Sequence, residues 1–123
     1  MAWKFNNETP IYFQIMEEIK RQIAQGILQP GAQIPSVREL AVIAGVNPNT
    51  MQKALSELER EGVLISQRTS GRFVAESGGN VDSMKAELSR KYIVAFVSNM
   101  RELGYDNQAM LDRLSEYLEE EKK

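Results

Sequence analysis

The sequence contains neither cysteine nor histidine. Without cysteine no disulfide can form, which fits a reducing compartment. Without either residue, zinc and other transition metals lose their usual sulfur and nitrogen ligands, so neither a metal nor a cofactor is expected. A phosphate-binding glycine loop and a G-x-S-x-G nucleophile elbow are also missing, and no enzyme activity is expected. Apolar runs stay far below the roughly eighteen residues of a membrane span, and the opening "MAWKFNNETP" has no signal-peptide core, which points to the cytoplasm and to no membrane partner. Charge of one sign does not dominate either: 15 basic and 17 acidic residues leave a net charge of −2. Residues 1–76 carry 8 basic and 8 acidic side chains and residues 77–123 carry 7 and 9, so any surface for a polyanion must arise by local sorting.

What the 123 residues do contain is helical periodicity with clear punctuation. In "ETPIYFQIMEEIKRQIAQG", Ile11, Ile15, Ile19 and Ile23 recur every four residues. Thr9 reads as the N-cap, Pro10 as the first helical residue and Gly26 as the stop. "ILQPGAQIP" reads as a turn-rich link. In "SVRELAVIAGVNPNTMQKAL", Ser36 and Glu39 form an S-x-x-E capping box, Val37, Leu40, Ala41 and Ala44 make a buried face, and Gly45 ends the helix. Asn47 and Pro48 then start a third helix, with Met51, Ala54, Leu55 and Leu58 on its core side and Gly62 after it. "VLISQR" and "RFVAE" are strand candidates joined by Thr69, Ser70 and Gly71.

Two short helices around a tight glycine turn, packed with a preceding helix and followed by a hairpin, specify a winged helix-turn-helix. The outer side of the third helix carries Asn49, Gln52, Lys53, Ser56 and Arg60 and no carboxylate. A polar outer face is ordinarily only a solvated one. Here it coincides with an architecture whose third helix enters the major groove, which offers donors and acceptors to amides and cations. Glu57, Glu59 and Glu61 gather at the far end of the helix, tolerable if that end points away from DNA. Arg38 and the hairpin-flanking Arg68 and Arg72 are candidate contacts, against the plainer reading of surface charges and a protected strand edge. Trp3 and Phe5 read as a hydrophobic anchor.

The segments "PIYFQIMEEIKRQIAQGILQPGAQIPSVRELA" and "GVNPNTMQKALSELEREGVL" resemble the GntR family of bacterial transcription regulators over about residues 9–76. The resemblance implies DNA contacts at Ser36 and Arg38, at Asn47, Pro48, Asn49, Thr50, Gln52 and Lys53, and in the wing at Arg68, Thr69, Ser70, Gly71 and Arg72. Family wings commonly read Arg-Gly-x-Gly-Thr. In "RTSGRFV" Thr69 stands for the first glycine and Arg72 for the threonine, so a looser wing contact is expected, offset by the charge of Arg72.

After a linker expected at 77–80 ("ESGGN" by composition), "VDSMKAELSRKYIVAFVSNMREL" reads as a long helix with an apolar stripe of Val81, Met84, Leu88, Tyr92, Phe96, Met100 and Leu103. Gly104 breaks it, and Asp106 caps a last helix bearing Met110, Leu111, Leu114 and Leu118. The expected organisation is therefore mainly α: residues 1–76 a DNA-binding domain and 81–123 a helical dimerisation region. A broad apolar face with only one more helix to cover it implies a partner surface. Met84, Leu88, Tyr92, Phe96, Met100, Leu103, Leu111, Leu114 and Leu118 are its candidate residues. The short helical tail is similar to that of the YtrA-like subgroup, which implies dimerisation and regulation of transporter operons. The function that results is a repressor binding a palindromic operator in double-stranded DNA as a homodimer. Two alternatives stay open, a winged-helix module that binds protein and a regulator gated by a small-molecule effector.

Overall fold

The structure is a computed structural model that describes residues 3–76 and 78–122, with the backbone alone for 78–81. Among these residues the order is α1 (Ile11–Ala24), α2 (Val37–Ala44), α3 (Pro48–Arg60), β1 (Leu64–Gln67), β2 (Gly71–Val74), α4 (Gly78–Glu102) and α5 (Asn107–Glu121). The fold is mainly helical, with one antiparallel hairpin. It divides into two compact units, residues 1–85 and 86–123.

In the first unit the punctuation works largely as its chemistry dictates. α1 buries Ile15, Met16, Ile19 and Ile23. Its N-cap is Pro10 and not Thr9, because Pro10 is extended (ψ 145°) while its carbonyl already accepts from Gln14 N–H. The capping box of α2 closes in both directions: Glu39 N–H donates to Ser36 Oγ at 3.2 Å, and Ser36 N–H donates to Glu39 Oε1 at 3.1 Å. Gly45 (φ 76°) ends α2 in the left-handed region, where a side chain would be strained. Asn47 then caps α3, its Oδ1 accepting from Asn49 N–H at 2.7 Å. Met51, Ala54, Leu55 and Leu58 of α3 are fully buried beside the α1 isoleucines, with Leu64 and Val74 from the hairpin. Trp3 and Phe5 pack against this core, and Trp3 N–H donates to the Ala44 carbonyl.

The hairpin pairs Leu64 with Val74 and Gln67 with Gly71, so Gly71 opens β2 and does not sit in the connection. Residues 31–34, read above as a turn-rich link, cover the other edge of β2. Ile34 N–H donates to the Arg72 carbonyl at 3.0 Å and Val74 N–H to the Ala32 carbonyl at 2.9 Å.

The linker expected at 77–80 gives way to helix, since α4 begins at Gly78; Ser77 lies outside the described residues. Met84 is buried in the core of the first unit, and the helix that carries it continues back through two glycines, each costing about 1 kcal/mol relative to alanine.

In the second unit Gly104 (φ 91°) turns the chain between α4 and α5, and Asp106 Oδ1 caps α5 by accepting from Ala109 N–H at 2.9 Å. Leu88 and Met110 are buried.

Candidate nucleic-acid interface

The outer face of α3 is built as the spacing predicts. Asn49, Gln52, Lys53, Ser56 and Arg60 are all exposed, Pro48 is exposed at the helix start, and Thr50 is half-buried. Gln52 Nε2 donates to Ser56 Oγ at 3.0 Å, which orients the amide. Lys53 Nζ lies 4.1 Å from the centroid of the Tyr12 ring, so α1 supplies an aromatic rest for a cation on α3. Asn47 Oδ1 is spent on the cap, but its amide N–H groups are not; the same holds for the Ser36 hydroxyl proton.

The acids late in α3 each meet a cation. Glu57 pairs with Arg60 at 3.5 Å, Glu61 with Lys20 at 2.7 Å, and Glu59 with Arg72. Arg21 pairs with Glu18 on α1. Of the eight basic residues in 1–76, Lys4, Arg38, Lys53 and Arg68 therefore have no ion pair among the described residues. Three of those four are residues picked out by motif and spacing, and they sit on α2, α3 and the hairpin turn.

Ser36 and the wing come together. A cleft of about 730 Å³ is lined by Ser36, Arg68, Ser70, Gly71 and Arg72, with one acid, Glu39, and with Gln33, Ser66 and Gln67 alongside. Arg38 is not part of it. Two residues on along a helix it faces about 200° away, into a shallow hollow with Val42, Val46 and Pro48. Thr69 is exposed at the hairpin turn.

Arg72 lines the same cleft but is held differently from Arg68. Its side chain is only 18% exposed, and its Nε donates to Glu59 Oε1 on α3. Burial pushes the Glu59 carboxyl up. The hydrogen bonds from Arg72 and Ser66 and the Arg72 charge outweigh that, and the net direction is below the ordinary value. Glu39 is also lowered, first by the backbone hydrogen bond from Ser36 and then by the Ser36 side chain. Sequence reasoning missed Tyr12, Gln33, Glu59 and Ser66. Gln33 Nε2 donates to the Ser70 carbonyl across a separation of 37 residues, for which no local signal exists.

The candidate partner surface is also partly redrawn. Met84 is 5% exposed and belongs to the core of the first unit, so it is withdrawn from that surface; periodicity marks an apolar position but not what covers it. Leu88 is buried too, and Met100 is half-buried. Tyr92, Phe96, Leu103, Leu111, Leu114 and Leu118 are exposed, as are Ile93, Val94 and Tyr117, which the helical stripe had not included. Ile93, Phe96, Met110, Leu111 and Leu114 border a hollow of about 380 Å³, with Arg101 Nη2 donating to Asn107 Oδ1 at 3.0 Å beside it. No helix among the described residues is long and apolar enough to cross a membrane.

A capped helix, a glycine turn, an outer helix face of amides and cations, and a hairpin beside them define a winged helix-turn-helix protein. The family of bacterial regulatory proteins designated gntR matches residues 11–74, and the chain belongs to that family. It is 40% identical over 116 residues to the HTH-type transcriptional regulator YhcF of Bacillus subtilis, covering 94% of this chain and 96% of that one. It is 36% identical over 120 residues to the HTH-type transcriptional repressor YtrA of the same organism, covering 93% and 85%. Among solved structures it is similar to a GntR family transcriptional regulator from Listeria monocytogenes (TM-score 0.82, 29% identity, 91% of this chain and 98% of that one). It is also similar to the AraR DNA-binding domain in complex with operator ORX1 (TM-score 0.55, 34% identity, 61% and 99%).

Proposed function

We propose that this GntR-family regulator is a repressor that binds a palindromic operator as a homodimer, acting on DNA in the cytoplasm and catalysing no reaction. The observation that carries the reading is the sorting of charge in the first unit. Acids on and near α3 are paired with Lys20, Arg60 and Arg72, while Arg38, Lys53 and Arg68 have no carboxylate partner among the described residues. Among the described residues that leaves Lys53 on α3 and Arg68 at the hairpin turn as cations without a carboxylate partner, and Arg38 on α2 beside Glu39, whose carboxylate is held to Ser36; cations on separate elements suit phosphates on either side of a groove. The repressor YtrA among the relatives, and an operator complex among the structural neighbours, support the same reading. A protein-binding winged helix would instead favour apolar groups or uncompensated acids on the outer face of α3.

Homodimerisation is supported by the apolar side chains exposed on α4 and α5. A two-fold dimer would present two copies of α3 to half-sites about one helical turn apart. Capture of genomic fragments by the purified protein, at moderate salt with excess competitor DNA, tests the whole reading. Recovery of a few fragments sharing an inverted repeat supports it. Recovery of random fragments only, lost as salt rises, would refute sequence-specific operator binding.

A further inference from the structure

We propose that Glu59 is a positioning residue for DNA recognition: it ties both strands of the wing to α3 at one rung and keeps Arg72 off the phosphates, leaving Arg68 as the cation of the wing. The inference rests on the DNA-binding reading above and adds to it a residue that touches no DNA.

One oxygen makes the tie. Glu59 Oε1 accepts from Ser66 Oγ on β1 at 2.9 Å and from Arg72 Nε on β2. Ser66 and Arg72 are directly paired across the hairpin, so their side chains leave the same face and one carboxylate reaches both. The next rung is Gln67 with Gly71, and beyond it lie only the turn residues 68–70. Glu59 therefore grips the hairpin one rung short of its tip. The opposite side is held as well, by Gln33 Nε2 on the Ser70 carbonyl and by the backbone bonds from residues 31–34 to β2. Held from both sides, the tip has its position relative to α3 set before DNA arrives, and less ordering remains to be done on binding.

The same contact decides the charge count. Both partners are partly buried, with side-chain exposures of 18% for Arg72 and 30% for Glu59. For Arg72 to reach a phosphate, the partly buried Glu59 would give up its cation and keep only the Ser66 hydroxyl, a loss that screening at 30% exposure reduces and does not remove. The carboxylate thus makes Arg72 a strut and not a phosphate contact.

The test uses the full-length protein with two variants, R72M and E59A, and thermal melts to establish that each is folded. Binding to an operator duplex from the genomic capture and to a mixed-sequence duplex is measured across a salt series. R72M is expected to keep the wild-type salt slope, because Arg72 contributes no phosphate contact. E59A is expected to steepen the slope by about 0.9, the value of one released cation. It is also expected to bind mixed-sequence DNA more tightly and to lower the operator-to-random ratio by about tenfold, the readout of roughly one base pair. A slope shallower by about 0.9 in R72M would overturn the proposal, since Arg72 would then already contact phosphate. So would an E59A protein with wild-type slope and ratio. If E59A does not fold, E59Q, which keeps an acceptor but loses the charge, takes its place. Failure of the wild-type protein to bind any duplex would refute the DNA-binding reading itself, and is distinct from binding with these slopes reversed.

Discussion

Gln52 and Asn49 occupy the same exposed face but come to it differently prepared. The Gln52 amide is oriented by Ser56, and the Asn49 backbone is held by the Asn47 cap. Replacing either by alanine is expected to cost about 1–3 kcal/mol on the operator, read by fluorescence anisotropy, with a much smaller loss on random DNA. Arg38 has no carboxylate partner among the described residues, so R38A is expected to weaken binding to every sequence and to flatten the salt slope by about 0.9. A loss confined to one base position would assign it to direct readout instead. Tyr12 holds its ring under the Lys53 ammonium and also packs against the core. Replacing its ring with leucine is expected to cost about 0.5–1 kcal/mol in operator affinity, and Y12F nothing, because the ring and not the hydroxyl holds the ammonium.

At the scale of elements, legibility follows the distance over which a signal acts. The Ser36–Glu39 box, the Asn47 and Asp106 caps and the Gly45 turn are written within four residues of themselves, and all were readable. The α3 core face followed from periodicity alone. The Glu59–Arg72 tie spans 13 residues and the Gln33–Ser70 bond 37, and nothing local marks them. Met84 shows the complementary failure, since its spacing fits two different neighbours. The readable signals carry energetic expectations. G45A should lower stability by about 1–2 kcal/mol, the cost of a side chain in the left-handed region. S36A should lower it by about 1 kcal/mol by removing the cap; denaturant melts check both. Glu39 and Glu59 are each held below the ordinary value of 4.5 in the folded protein, so their contributions are present above that pH and are lost as pH falls through the folded values. Melts of wild type and E59A on an acidic pH series should therefore differ at neutral pH and converge in acid.

For the molecule as a whole, the expectation is that exposed leucines on α5 hold two copies together. Leu111 and Leu118 are 59% and 50% exposed, so replacing both by glutamate should cost little stability in the monomer. Sedimentation is expected to show a dimer for wild type and a monomer for the double variant. Operator affinity should fall by roughly 10²–10⁴-fold with the loss of simultaneous half-site binding, while contacts within one half-site are unchanged. Unchanged sedimentation would place the partner surface elsewhere.

The pairing of Glu57, Glu59 and Glu61 with basic side chains reaches beyond the binding site. Non-specific attraction to duplex DNA is almost entirely electrostatic, and it governs how long a regulator lingers on the chromosome between targets. A chain with a net charge of −2 and so few uncompensated cations near its recognition helix has little to linger with. Visits to unrelated stretches are therefore expected to be brief, with hopping through solution favoured over sliding; single-molecule tracking on a non-operator duplex checks this. Weak sequestration by bulk chromosome is the expected consequence, and it would lower the number of molecules needed to occupy an operator of given affinity.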